Sequence, residues 1–438
     1  MLEQTTASGS TLPRVVKGFS LIELMVAMVV ALIGTIVIFQ VLAVSESYKR
    51  TTTGGSDALQ SGGFAAYTLE RYIRMGGAGF ATVPGVWGCP LGIFRGPPPA
   101  VQLFGQDTAP YHTATALPAP FETALDFRLT MAPAMIKAGA TADASDTIVV
   151  MAGNHATMGR YFWVQGQTPT SISLLDNVVV GVNNSRDALG TAQHDLLLAV
   201  DQDPSAGRGT STTCDLAEVL NAPAAIAPFT ITAPITLKDG TEIFTGSDAF
   251  SNAGSYYSKS LNVANLGPVA ANPAFGSGPN FTAFAVGNDG QTPNALLALN
   301  LITGYDPAVP KWVTQSLADN IVTIKAVYGV AADVATPNVD SWEAPTGTWS
   351  AATLSANPTN IQRLRAVRIA IIARNAQPEK KADASVPATE GGFSPPSFAL
   401  FGGTTAAMTV TNPDRRFRYK IFDVTIPLRS MVLMTQNP

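Results

Sequence analysis

Lys17-Gly18-Phe19-Ser20-Leu21-Ile22-Glu23-Leu24-Met25-Val26-Ala27-Met28 opens an apolar run that continues from Phe19 to Val44. As a helix rising ~1.5 Å per residue, the run is about 39 Å long. The hydrocarbon layer of a bilayer is ~30 Å thick, so the segment is long enough to span one. Glu23 is its single charge. A carboxylate in an apolar span costs on the order of 2.5–3.5 kcal/mol at the centre and less near an end, so it normally has a partner. A secretory signal peptide has a shorter apolar core, closed by a small-residue cleavage site. No Ala-x-Ala closes this run before Ser45-Glu46-Ser47-Tyr48. A plain anchor fits the hydropathy but accounts for neither Glu23 nor the Gly18-Phe19 junction. Arg14 and Lys17, against Glu3, keep residues 1–18 cytoplasmic by the positive-inside rule, and the bulk of the chain is exported.

Composition agrees with export. Charged residues make up 13% of the 438, about half the globular norm of roughly 25%. Gly (38) and Pro (31) are numerous, which suggests a β- and loop-rich protein with a neutral hydroxyl- and amide-bearing surface. A formal charge of −4 leaves no electrostatic footprint for nucleic acid. The basic run Arg415-Arg416-Phe417-Arg418-Tyr419-Lys420 reads as a solvated or paired strand edge. Cys89 and Cys214 are the only cysteines, and an oxidising compartment makes a disulfide between them the expectation. Such a bond closes a loop of about 125 residues, for up to ~5 kcal/mol in the chain-entropy picture. Two unpaired thiols are the alternative.

The helix from Phe19 is expected to reach about Arg50. Thr51-Thr52-Thr53-Gly54-Gly55 then interrupts it, because β-branched residues and Gly are poor helix formers. Ser56-Asp57 can cap a restart. Leu59, Gly62, Ala66, Leu69 and Ile73 form one apolar face, with Glu70, Arg71 and Arg74 off it. Gly76-Gly77 stops the helix. Near the C-terminus, Ile321–Tyr328, Ala366–Ala373 and Tyr419–Ile426 alternate or are rich in β-branched residues. They read as an antiparallel sheet laid across the amphipathic helix. The fold class is therefore α+β. Strands are also expected at 146–151, 160–164, 171–175 and 281–286, between Pro- and Gly-rich stretches, and 377–405 reads as a polar loop. This divides the chain into a leader (1–18), an N-terminal helix (19–76, with 19–44 the membrane half), a variable β- and loop-rich region (77–320) and a C-terminal sheet (321–438).

Gly18, Phe19 and Glu23 resemble the class III signal of type IV prepilins, with Gly18 at the cleavage site, Phe19 the new N-terminus and Glu23 the fifth mature residue. The resemblance extends to PilW-type minor pilins. It is carried by Glu70-Arg71-Tyr72-Ile73-Arg74-Met75-Gly76-Gly77 with Cys89 soon after, by Asn320–Val330 followed by Asp340-Ser341-Trp342, by Arg365–Ala370, and by Phe417–Lys420 leading to Ile426-Pro427-Leu428-Arg429. Residues 80–315 have no resemblance we can place. What the resemblance implies is a type IV pilin-like fold and a minor pilin that primes pilus assembly at or near the filament tip. A prepilin peptidase cuts after Gly18 and methylates Phe19, and Glu23 serves assembly. The implied partners are other minor pilins, the major pilin and a tip adhesin. The implied location is the inner membrane, with a periplasmic C-terminal domain, and then the pilus. No cofactor is implied.

Two other readings compete. A J-type minor pseudopilin of a type II secretion system shares leader, helix, sheet and Glu23. A membrane-tethered exported receptor or enzyme would share the anchor alone. Catalysis finds no motif: His112, His155 and His194 lack zinc-ligand spacing with either cysteine, and no Gly-x-Ser-x-Gly elbow or P-loop occurs. Asp201, Asp203 and Ser205 place oxygen ligands at alternate positions, as a calcium loop opens. Gly207 comes one residue late and position twelve is Thr212, so a solvated turn is the favoured reading.

Overall fold

The helix α1 runs unbroken from Leu21 to Met75 in a computed structural model of the chain. The structure describes residues 18–95, 101–104, 117–154, 161–168, 171–174, 193–202, 214–221, 235–237, 260–270, 278–306, 311–378 and 394–434. The interruption expected at Thr51–Gly55 does not occur. Five poor helix formers cost roughly 0.5–1 kcal/mol each, whereas ending and restarting a helix means nucleating it twice. Gly77, with φ +81°, ends α1 in the left-handed conformation, and its N–H donates to Met151 O at 2.8 Å.

The chain divides into two compact units between Thr53 and Gly54. The described part of the first is helical from Leu21 onward and wholly exposed wherever its burial is described. The second holds the rest of α1 and all the strands among the described residues. A four-stranded antiparallel sheet has the order β17 (Ser341–Glu343), β16 (Ile321–Val330), β18 (Leu364–Arg374), β21 (Tyr419–Pro427). A five-stranded antiparallel sheet has the order β15 (Gln315–Asp319), β12 (Ala295–Asn300), β11 (Asn280–Gly287), β4 (Thr147–Ala152), β3 (Ala134–Lys137). An eight-stranded sheet contains β1 (Leu91–Arg95), β2 (Val101–Phe104), β5 (Tyr161–Thr168), β6 (Ser171–Leu174), β7 (Gln193–Gln202), β8 (Cys214–Asn221), β9 (Ile235–Leu237) and β10 (Ser260–Ala270). Its order is β2-β1-β8-β7-β10-β5-β6-β9, with β1 and β8 parallel. Two ribbons complete the fold, β13 (Tyr305–Asp306) with β14 (Lys311–Trp312), and β19 (Ser397–Leu400) with β20 (Met408–Thr411).

One apolar core joins α1 to all three large sheets, from Ala65, Leu69 and Ile73 to Ile369, Ile371, Phe284 and Leu198. The four-stranded sheet is covered on its other face too. There Val327, Ala370 and Ile372 pack under Phe398, Leu400 and Val410 of the β19–β20 ribbon. Burial on both faces is why β18 reads Leu-Arg-Ala-Val-Arg-Ile-Ala-Ile-Ile-Ala-Arg rather than alternating strictly. β19 corrects the expectation of a loop over 377–405. Four residues suffice there, because Phe398 and Leu400 cap an apolar sheet face.

The buried face of α1 is Ala58, Gly62, Ala65, Ala66, Leu69 and Ile73. Leu59, expected on that face, is instead 51% exposed, as are Phe64 and Tyr67 to similar degrees. The small residues let the helix approach the sheet closely. A Cβ on Gly62 would lie 2.1 Å from Phe422 Cε2 and 2.9 Å from Ala373 Cβ. Gly62→Leu is expected to destabilise the second unit by about 2–3 kcal/mol through overpacking. Gly63→Leu is the control, with the same gain in helix propensity but only Phe422, at 3.9 Å, near its Cβ. A lower urea midpoint for the first variant alone is the expected result. Equal midpoints would mean that α1 does not rest on this sheet at Gly62.

Candidate functional site

Ser20 immediately precedes α1 and Glu23 lies in its first turn. The Ser20 N–H donates to Glu23 Oε2 at 3.4 Å, one half of a capping box. The signal Ser-x-x-Glu is legible in the sequence and is a second use for Glu23, since a carboxylate also suits the positive end of a helix dipole. Ala27, Ala31 and Gly34 follow Glu23 at spacings of four, four and three, a strip of small residues bordered by Ile22, Val26 and Val30. Short side chains allow close approach of another helix in an apolar medium. The stretch Leu21–Glu46 is long and apolar enough to cross a membrane, and none of it is buried within the protein. Gly18 and Phe19 precede the helix and are exposed.

In the second unit Cys89 and Cys214 form a disulfide with Cα atoms 5.7 Å apart. It lies where β1 and β8 run parallel, with Leu91 opposite Cys214. It thereby ties the turn region after α1 to the eight-stranded sheet.

Two buried charges escaped sequence reading. Asp146 leads into β4, and Lys325 sits in β16. Their side chains are 2% and 5% exposed, with Nζ 3.0 Å from Oδ1. Asp146 also accepts the N–H groups of Gly139 at 2.9 Å and Ala326 at 3.0 Å. Burial pushes its carboxyl up, while the Lys325 ammonium and these N–H groups pull it back. The Asp146 N–H donates to Ile324 O at 2.8 Å, so the pair joins the five-stranded sheet to the four-stranded one. Arg365, 1% exposed, donates to five carbonyls, those of Thr336, Gln362, Leu364, Val334 and Asp333, at 2.6–3.4 Å. Burial lowers its pKa, with Asp333 opposing. Both are structural arrangements, since each polar atom faces the protein's own backbone or its ion partner. At the surface, N–H groups of Thr292 and Gln291 hold the Asp289 carboxyl down to about 2.

Asp201 lies in β7, while Asp203 and Ser205 fall outside the described residues. His112 and His155 also fall outside them, and His194 lies in β7. Among the described residues no group of three or more His, Cys, Asp or Glu side chains could hold a metal ion.

A family model described as type IV pilus-assembly protein W matches residues 283–430. A model of the prokaryotic N-terminal methylation motif matches residues 13–39. The first match begins in β11, inside the region 80–315 where the sequence offered no resemblance, and takes in part of the five-stranded sheet. No curated protein and no solved structure matches the chain.

Proposed function

We propose that the chain is a prepilin-like protein of the PilW family that acts as a type IV pilus minor pilin and helps prime pilus assembly at or near the filament tip. Its prepilin signal and apolar helix fit anchoring in the inner membrane, and its pilus-assembly region fits a pilus-associated C-terminal domain. Interaction with pilus components and processing by a prepilin peptidase follow from that family and motif.

The finer reading is ours. The peptidase cuts after Gly18 and methylates Phe19, and the bared helix then packs beside those of other minor pilins and the major pilin, below a tip adhesin. The chain acts as a structural subunit without catalysis. The supporting observation is that one unbroken helix carries the methylation motif at its start and packs its last turns on the sheet that the pilus-assembly match covers. Gly18 is the residue to alter, because a peptidase subsite moulded on glycine has no room for a side chain.

The test compares wild type, a deletion strain and Gly18→Leu. Both mutants are expected to lose most surface pili in electron micrographs, and mass spectrometry is expected to find the Gly18→Leu chain with its leader still attached. Normal piliation with impaired secretion of exported proteins is what a pseudopilin would give, and would overturn the proposal. So would a trimmed Gly18→Leu chain.

A further inference from the structure

β15 stands at the margin of the five-stranded sheet and pairs only with β12. A strand in that position leaves a row of backbone N–H and C=O groups open to pairing with a further strand. Beside it lies an open cleft of about 520 Å³, lined by residues 316–319 and, from the turn between β11 and β12, by Asp289 and Gln291. Neighbouring side chains of a strand point to opposite faces. Consecutive residues therefore meet in one cavity where it follows the edge of the strand.

The cleft is acidic. Among the described residues no Lys or Arg lines it, and neither Asp289 nor Asp319 is in an ion pair. The Asp289 side chain is fixed in place, its Oδ1 accepting the N–H groups of Gln291 at 2.8 Å and Thr292 at 2.6 Å. The Ser316 side chain of β15 bonds it too, and together these bonds keep the carboxylate charged far below neutral pH. Sheet edges are commonly guarded by bulges and charges. β15 has both, in the register shift opposite Leu296 and Leu297 and in Asp319 at its end. These bar indiscriminate pairing, whereas a strand that brings its own cation answers the charge and still makes the backbone bonds. A divalent cation would use the carboxylates but not the N–H donors of the edge. A second copy of this chain, itself of formal charge −4, is a poorer electrostatic match than a basic segment.

We propose that β15 takes an extended, lysine- or arginine-bearing segment of another protein as an added strand, with the cation seated in the cleft of Asp289 and Asp319. Backbone pairing would supply the hold, and the two carboxylates the selectivity. The docking does not require its partner to be a pilin, so it stands apart from the role in priming.

The test places a benzophenone amino acid at Gln291, exposed in the cleft, or at Ala352, exposed outside it, in the full chain in living cells. Irradiation is expected to give an adduct with another protein from Gln291 well above that from Ala352. Tandem mass spectrometry is expected to map it beside a lysine or arginine in a segment of strand-like alternation. Asp289→Asn with Asp319→Asn removes both charges and keeps acceptors for the turn. This double variant is expected to lower the adduct yield at least about threefold, exposed ion pairs being individually weak. Its cellular level and urea midpoint should stay at wild-type values. An adduct no stronger than at Ala352, one mapped away from any basic residue, or one that the double variant leaves unchanged would overturn the proposal. So would adducts between copies of this chain alone, which mean self-association. Calcium binding by the purified chain that the double variant removes, with no adduct in cells, would assign the cleft to a cation and overturn it as well.

Discussion

Glu23→Ala is expected to leave the chain processed and folded but to keep it out of the pilus. In the proposed processing, cleavage after Gly18 would bare an amine on Phe19, four residues from Glu23 and at the mouth of the same apolar stretch. When helices stack side by side, the carboxylate of one and the amine of its neighbour compensate two charges that the apolar interior would otherwise exclude. Removing one partner of a buried pair leaves the other uncompensated, at about 3–5 kcal/mol, or more than a hundredfold in the association constant. The competing role is local, since Glu23 caps its own helix through the Ser20 N–H at 3.4 Å. A lost cap costs about 1 kcal/mol, far too little to melt a helix of 55 residues. Glu23→Gln separates the two, because glutamine keeps an acceptor for Ser20 and loses the charge. Few pili and poor co-purification with other pilins are expected of both variants. Wild-type piliation in the glutamine strain would show that the cap, and not the charge, is what Glu23 provides.

Asp146→Ala is expected to destabilise the second unit by about 3–5 kcal/mol, against the 5–15 kcal/mol of a typical domain. The reason is the ammonium of Lys325, 5% exposed, which would keep its burial and lose its counter-charge. The N–H groups of Gly139 and Ala326 would lose their acceptor as well. Replacing both charges, as Asp146→Leu with Lys325→Met, should recover part of the loss. Full recovery is not expected, because the buried Ala326 N–H stays unsatisfied at about 1–3 kcal/mol, and the half-buried Gly139 N–H loses its acceptor too. Urea unfolding of the full chain in detergent reads both variants. A single variant as stable as wild type would mean that the pair does not hold the two sheets together. A double variant less stable than the single one would mean that the deficit does not come from an orphaned charge.

Some elements were legible because their physics is local. Hydropathy and length mark the span from Phe19 to Val44, Gly76-Gly77 marks the end of α1, and β-branched runs mark β16, β18 and β21. β12 is the opposite case. Ala-Leu-Leu-Ala-Leu-Asn is made chiefly of good helix formers, yet it is a strand hydrogen-bonded to β11 and β15. Propensity differences of a few tenths of a kcal/mol per residue cannot compete with backbone pairing on two sides and complete burial. β7, with its Leu-Leu-Leu-Ala core between β8 and β10, was illegible for the same reason.

By itself the sequence determined the prepilin signal, the apolar helix, the α+β class and the three long strands beside that helix. Each rests on residues close together along the chain. Tertiary structure alone decided that Leu59 faces solvent while Gly62 takes the tight contact, and that Asp146 meets Lys325. It also carried β19 onto the outer face of the sheet. These depend on partners far away in the chain, Asp146 and Lys325 being 179 residues apart, and the free energy of such contacts exceeds the ~1 kcal/mol preferences from which local structure is read.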